Sequence, residues 1–493
     1  MCVKIHRGID DMNRNLFLLL TVILLFPGGC TLAPKYTRPE PPVPVDWPTG
    51  VAYKELKVSE DAPVASEIKW REFFADDNLR KVIELSLSNN RDLRIAALNI
   101  ERSRALYQIQ RSELFPTADA FGVFSKERIP GILSGAGQPA TVKLYNLNLG
   151  VSAWELDFFG RIRSLSAQAL ELYLATEHAR NSFQIALVAD VANVFLAFAA
   201  DSERLKLAQD TFTAQQASYD LILSRYTEGI SSEIDLRQAQ TRVDAARVDI
   251  AIFTSLVAQD ENLLNLLVGS SVPRELLANS LQAIAQMRDI IAAVPSEVLQ
   301  QRPDILAAEN QLKAANANIG AARAAFFPRI SLTTSTGTTS DKLAGLFEAG
   351  SKTWLFAPQV NLPIFDAGRR KANLKVAKAD RDIFLARYER TIQLAFREVA
   401  DALAERGTLD DQLAAQQSLV DAAAVSYRLS ETRYLKGIDN YLIVLDSQRS
   451  LYNAQQGLIN VRQAKLANLL TLYRVLGGGA ENLEESGTSN EPD

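Results

Sequence analysis

Two kinds of apolar periodicity run along this chain, and each occurs twice. Tyr145, Leu147, Leu149, Val151 and Ala153 alternate with Asn146, Asn148, Gly150 and Ser152. Trp354, Phe356, Val360, Leu362 and Ile364 alternate in the same way with Gln359 and Asn361, behind a Thr/Ser-rich run from Ser331 to Ser340. Period two predicts strands, two in each half. Alternation over about ten residues suits a strand with lipid on one side and water on the other, and equally a half-buried soluble sheet. Pro358 and Pro363 are awkward inside such a strand.

Around the strands the pattern is helical. Arg161 to Tyr226 contains neither proline nor glycine. At 1.5 Å per residue it predicts a helix of about 100 Å. Lys371 to Tyr434 is similar, broken only by Gly407. Near their ends Phe212, Gln215, Tyr219, Ile222 and Tyr226 recur at spacings of 3, 4, 3, 4, as do Val420, Ala423, Tyr427, Ser430 and Tyr434. That is a heptad seam, predicting coiled-coil contact between helices. Shorter helices are expected over Asn78 to Glu113, Glu233 to Val268, Glu297 to Phe326 and Tyr441 to Leu476. Two short helices end to end match one long one, which predicts a helical cylinder two short helices tall.

The chain is written twice. Asp92 and Asp304 lie 212 residues apart, as do Pro116 and Pro328; Gly160 and Gly368 lie 208 apart, as do Arg225 and Arg433. Landmarks in one order at nearly one offset predict two structural repeats side by side, each reading helix, two strands, long helix, short helix. We expect a first repeat over 71–272, a second over 273–476, and a flexible acidic tail over 477–493.

The N-terminus reads as an address. Leu16 to Phe26 is an uncharged apolar run of eleven residues, too short for a membrane helix, with Arg14 before it and Pro27-Gly28-Gly29-Cys30 after it. These are the parts of a secretory signal peptide over 1–29, with Met12 the cleaner start. The cut before Cys30 resembles the bacterial lipoprotein box, in which the cysteine receives a diacylglycerol and an N-acyl chain. That box usually has Leu where this chain has Pro27. Thr31 after the cysteine, rather than aspartate, points to the outer membrane. Residues 30–70 then form an anchor and a linker, in which Pro34 to Pro48 predicts extended, polyproline-like spacer chain.

Composition removes other classes. The net charge is −5, so nucleic acid is not the expected partner. The two cysteines, Cys2 and Cys30, lie near the start, and the histidines are only His6 and His178. No disulfide framework or cysteine metal site fits the body, and His178 reads as a tolerated helix residue. No phosphate-binding glycine loop, nucleophile elbow or HExxH run is present, so neither an enzyme nor a cofactor is expected.

Four membrane strands per chain cannot close a sheet, and hydrocarbon forbids open edges. Three copies close one twelve-stranded barrel. The sequence resembles the TolC-like outer-membrane efflux family, in its lipoprotein branch. The resemblance is carried by Cys30-x-x-x-Pro34-x-Tyr36-x-x-Pro39, Trp154-Glu155-Leu156-Asp157-Phe158-Phe159-Gly160-Arg161, Leu299-x-x-Arg302-Pro303-Asp304-Ile305, Phe327-Pro328 and Pro363-Ile364-Phe365-Asp366-x-Gly368-Arg369. It implies a mixed, mainly α fold: a homotrimer with a twelve-stranded β-barrel in the outer membrane, continued by a periplasmic α-helical barrel. It also implies a periplasmic adaptor and an inner-membrane pump as partners, and passive export of small molecules.

The resemblance places Gly229 and Gly437 at the periplasmic hairpin tips, where the adaptor touches. It places Asp446 at the aperture, as a ring of negative charge in three copies. Where some members carry a second aspartate, one turn earlier, this chain has Ile443. Asp235, three residues after Ser232, is either an aperture residue or part of a capping box. Tyr226 and Tyr434 are gate residues or packing residues of the seam. Arg225 and Arg433 are solvated or tie the closed entrance to a carboxylate. A type I protein-secretion channel and a pore-less coiled-coil lipoprotein tether are the alternatives; the alternating strands speak against the tether.

Overall fold

In the computed structural model the described residues are 31–479, apart from 55–64, 66–67, 136, 285–286, 289 and 291–295. The expected signal peptide, Cys30 and most of the acidic tail lie outside the described residues. In chain order the regular elements begin with α1 (Trp70–Phe73), α2 (Asp77–Asn89) and α3 (Arg91–Ser112), then β1 (Ala118–Ile129) and β2 (Ala140–Leu156). Helices α4 (Arg161–Thr227), α5 (Glu233–Val268) and α6 (Pro303–Ala324) follow, then β3 (Arg329–Ser340), β4 (Lys352–Asn361), α7 (Arg369–Leu435) and α8 (Tyr441–Val475).

The two long helices are 67 residues each. Gly407 does not break α7. A Cβ there would run into the carbonyl oxygen of Ala52, well inside van der Waals contact, so the glycine marks a close approach of backbone rather than a helix end. The helix expected over 78–113 is two helices. Asn90 adopts ψ 128°, and its side chain caps α3 by accepting from Leu93 N–H (2.8 Å) while donating to Leu267 O (2.7 Å). The helix expected from Glu297 starts at Pro303, a residue suited to the first helical position; Ser296–Gln301 is a 3-10 segment.

The strands form one antiparallel sheet in the order β1-β2-β3-β4, so the two repeats meet at β2 and β3. Pro358 lies inside β4, level with Leu332 of β3. The ladder ends at Asn361, leaving Leu362 and Ile364 beyond it. Ala153 departs from the alternation. It has φ +51°, inside a register shift between Val151 and Trp154. This bulge moves the apolar face from odd positions (Tyr145 to Val151) to even ones, Trp154 and Leu156. Glu155 then points to the opposite face, where its carboxylate meets Arg161 at 2.8 Å and Arg329 at 2.5 Å.

Contact density divides the described chain into two compact units, and neither is one repeat. One gathers 31–39, 101–175 and 309–387; the other gathers 40–100, 176–308 and 388–479. The proline-rich linker has no regular structure over Thr31–Pro39, but it is pinned rather than free. In the first unit Tyr36 donates to Glu309 (3.1 Å), the Arg38 guanidinium pairs with the same carboxylate, Asn316 donates to Pro34 O (2.8 Å) and Arg323 to Leu32 O (2.9 Å). Glu309 is buried, yet with these partners and Lys313 its carboxyl lies below the usual range: burial pushes it up, and the cations outweigh that. Gly320 leaves room for Ala33, whose N would sit 2.7 Å from a Cβ there. In the second unit Trp47 stacks on Phe396 at 4.9 Å and Lys54 pairs with Asp411.

Candidate functional site

Two hairpin turns lie in the second unit. Each closes with the same hydrogen-bond pair. Ile230 N–H donates to Arg225 O (2.8 Å) and Gly229 N–H to Tyr226 O (2.9 Å); Ile438 N–H donates to Arg433 O (3.0 Å) and Gly437 N–H to Tyr434 O (2.9 Å). These are Schellman closures, which need a left-handed residue. Gly229 (φ +75°) and Gly437 (φ +71°) supply it.

The helices that leave the turns start differently. Ser232 and Asp235 form a reciprocal capping box: Asp235 N–H donates to Ser232 Oγ (3.2 Å), and Ser232 N–H donates to Asp235 Oδ2 (3.2 Å). Asp235 therefore serves the start of α5. Asn440, at the equivalent place before α8, makes no side-chain cap.

Between the hairpins lies an apolar core of Ile222, Leu236, Ala239, Tyr441, Val444 and Leu445, with Tyr219, Tyr427 and Tyr434 packed against it. Tyr219, Ile222, Tyr427 and Tyr434 come from the heptad seams. Tyr434 and Tyr441 have ring centroids 5.2 Å apart. Arg225 donates to the Tyr434 hydroxyl at 3.1 Å and lies 5.5 Å above its ring. The Tyr441 hydroxyl is buried without a hydrogen-bond partner among the described residues. Burial, with Tyr434 and Tyr427 close by, pushes its phenol up to about 12. Tyr226 stands outside this core, 39 % exposed.

The remaining candidates pair locally. Arg433 binds Asp439 in two hydrogen bonds of 2.5 and 3.0 Å. Asp446 is paired with Arg449, one turn further along α8. The two line a groove of about 780 Å³ together with Arg242, Leu419, Leu442 and Ile443. Its ionic lining is one carboxylate and two guanidiniums, so Asp446 does not present a bare negative charge within the chain. The structure thus joins Arg225 to Tyr434 and leaves Asp235, Asp446 and Tyr226 apart. Sequence reasoning did not single out Asp439, Tyr441 or Arg449. Two signals were available: Asp439 stands where the first repeat has Ser231, and Arg449 follows Asp446 at i+3. Among the described residues no group of three His, Cys, Asp or Glu gathers as a metal site.

The family described as outer membrane efflux protein matches residues 82–270 and 294–478. The chain belongs to the outer membrane efflux protein family. It is 49% identical over 481 residues to the toluene efflux pump outer membrane protein TtgC of Pseudomonas putida, covering 97% of this chain and 98% of that protein. It is 40% identical over 459 residues to the outer membrane protein OprJ of Pseudomonas aeruginosa, covering 93% and 95%. Among solved structures, the open state of the MtrE outer membrane channel of Neisseria gonorrhoeae superposes with a TM-score of 0.82 at 36% identity, covering 92% of this chain and 99% of that one. As a member of this family the chain is an outer-membrane efflux component and not an enzyme.

Proposed function

We propose that three copies of this chain form a passive duct through the outer membrane for small molecules delivered by an inner-membrane pump and a periplasmic adaptor. The observation that carries this is the sheet. It has four strands, its outer strands β1 and β4 each keep one edge unpaired among the described residues, and its apolar face is exposed: Leu149, Trp354, Phe356 and Val360 are all in the open. Unpaired edges are excluded from hydrocarbon, and β1 of one copy against β4 of the next removes them all in a twelve-stranded barrel. The helices then continue the tube into the periplasm, and the tips at Gly229 and Gly437 meet the adaptor. Arg225, Tyr434, Arg433 and Asp439 hold the entrance, while Asp446 and Arg449 line the groove beside it. A lipid on Cys30 anchors the start of the pinned linker. The names of the relatives, a toluene pump component and an antibiotic pump component, support small, largely apolar cargo.

The test is detergent extraction followed by mass measurement and single-channel recording in planar bilayers. A trimer that conducts is expected; a monomer, or a trimer without conductance, overturns the proposal. Incorporation of labelled palmitate by the wild type and its loss in Cys30→Ala tests the anchor.

A further inference from the structure

We propose that the hairpin end of the sheet binds the phosphate groups of phosphorylated glycolipid headgroups in the outer leaflet, through Lys126, Arg128 and Lys143. The inference rests on the barrel reading above.

The strand register fixes which side chains share a face. On the apolar face Trp154 is level with Leu332 and Pro358, Leu149 with Thr336 and Trp354, and Tyr145 with Phe124 and Ser340. The Phe124 and Tyr145 rings are 4.6 Å apart. From the Trp154 row to the Tyr145 row is eight residues of β3, Leu332 to Ser340. That is about 26 Å along the strand, and about 20 Å of depth at the usual tilt. Aromatic residues at both ends of such a span mark the two interfaces of a membrane band.

The next row toward the hairpin holds Lys126 directly opposite Lys143, followed by Arg128 opposite Thr141. All three cations are exposed. None forms an ion pair among the described residues. Like charges directly opposed across two strands destabilise a sheet. The carboxylate at this end of β1 and β2, Glu127, is opposite Val142 on the other face and cannot relieve them. The charge is therefore segregated onto the lipid side, about 7 Å along the strand beyond the upper aromatic pair, the depth of the headgroups. An anion between the strands converts the repulsion into attraction, and a basic cluster just outside an apolar band is the pattern that holds anionic headgroups. Because the cations continue the lipid face, the anion they meet there is part of the membrane and not a solute in the lumen. Three copies repeat the set around the barrel.

The experiment uses the full-length trimer in detergent with a diphosphorylated lipid A as probe, its dephosphorylated form as control, and millimolar inorganic phosphate as competitor. The same preparations are recorded in planar bilayers. The wild type should bind the diphosphorylated lipid at least tenfold tighter than the control. The triple variant Lys126→Gln, Arg128→Gln, Lys143→Gln should lose that preference with unchanged conductance, and Lys126→Arg with Lys143→Arg should keep it. Equal binding of the two lipids, unchanged binding by the triple variant, or displacement by inorganic phosphate alone overturns the lipid site while conductance upholds the barrel. A wild type that neither trimerises nor conducts overturns both.

Discussion

Arg433 and Asp439 close on each other across the turn at Gly437, through two hydrogen bonds of 2.5 and 3.0 Å. Among the described residues the first repeat has no such pair. Ser231 stands 208 positions before Asp439, and Arg225 turns instead to Tyr434 in the other hairpin. The two hairpins are therefore tied asymmetrically, one onto itself and one onto its neighbour. The Arg433 guanidinium holds the Asp439 carboxyl below its ordinary range. Asp439→Asn should raise single-channel current at neutral pH and shift the thermal midpoint little, because an ion pair whose guanidinium stands in solvent contributes little to stability. Wild-type current in this variant would remove Arg433 and Asp439 from the gate.

Tyr441→Phe should be neutral or stabilising, by up to about 1 kcal/mol, because it removes a buried hydroxyl that has no partner among the described residues. Thermal unfolding measures this. Destabilisation by more than that amount would mean the hydroxyl is bonded in the assembled protein.

Gly407→Ala gives opposite signs under two readings. As an ordinary mid-helix exchange it should stabilise by about 1 kcal/mol. With the linker at Ala52 in the way, the added Cβ collides with a backbone carbonyl oxygen, and overpacking of this kind costs about 1–3 kcal/mol. We expect a lower thermal midpoint and faster proteolysis within 40–54.

Asp260 on α5 has a raised carboxyl pKa of about 6, first from burial and then from Asp201, with Arg204 opposing. Arg204 is held by Asp201 and by Asn460 and Gln463 of α8. A carboxyl whose pKa is raised on folding favours the native state while protonated. Stability should fall as pH rises from about 3.8 through about 6 and then level off. Asp260→Asn should flatten this profile, gaining on the order of 1 kcal/mol at pH 7.5 after allowance for solvent screening, and nothing at pH 4. Denaturant midpoints at the two pH values decide it.

The long helices were legible because nothing in 161–226 interrupts them, and helix start signals are local: Ser232 with Asp235 specifies its own cap. The alternation of the strands was legible up to Val151. The bulge at Ala153 was not, because a register shift is set by the partner strand rather than by the pattern of the bulged one. Gly407 read as a break because the sequence does not show what passes beside it. The pairing of Asp446 with Arg449 was open to view at i+3, and the reading of Asp446 as part of a charged ring did not include it.

What the sequence determined alone is whatever repeats at short range: helix and strand periods, the turn glycines, and a duplication with an offset of about 208 residues. What only the tertiary structure decided is which distant residues share a space: Arg225 with Tyr434, the linker with Gly407 and Glu309, and Lys126 opposite Lys143. The physical reason is range. Backbone propensity and side-chain period act over a few residues and are written in order along the chain. Ion pairs, close backbone contacts and strand register join positions tens to hundreds of residues apart, and they exist only once the chain has packed.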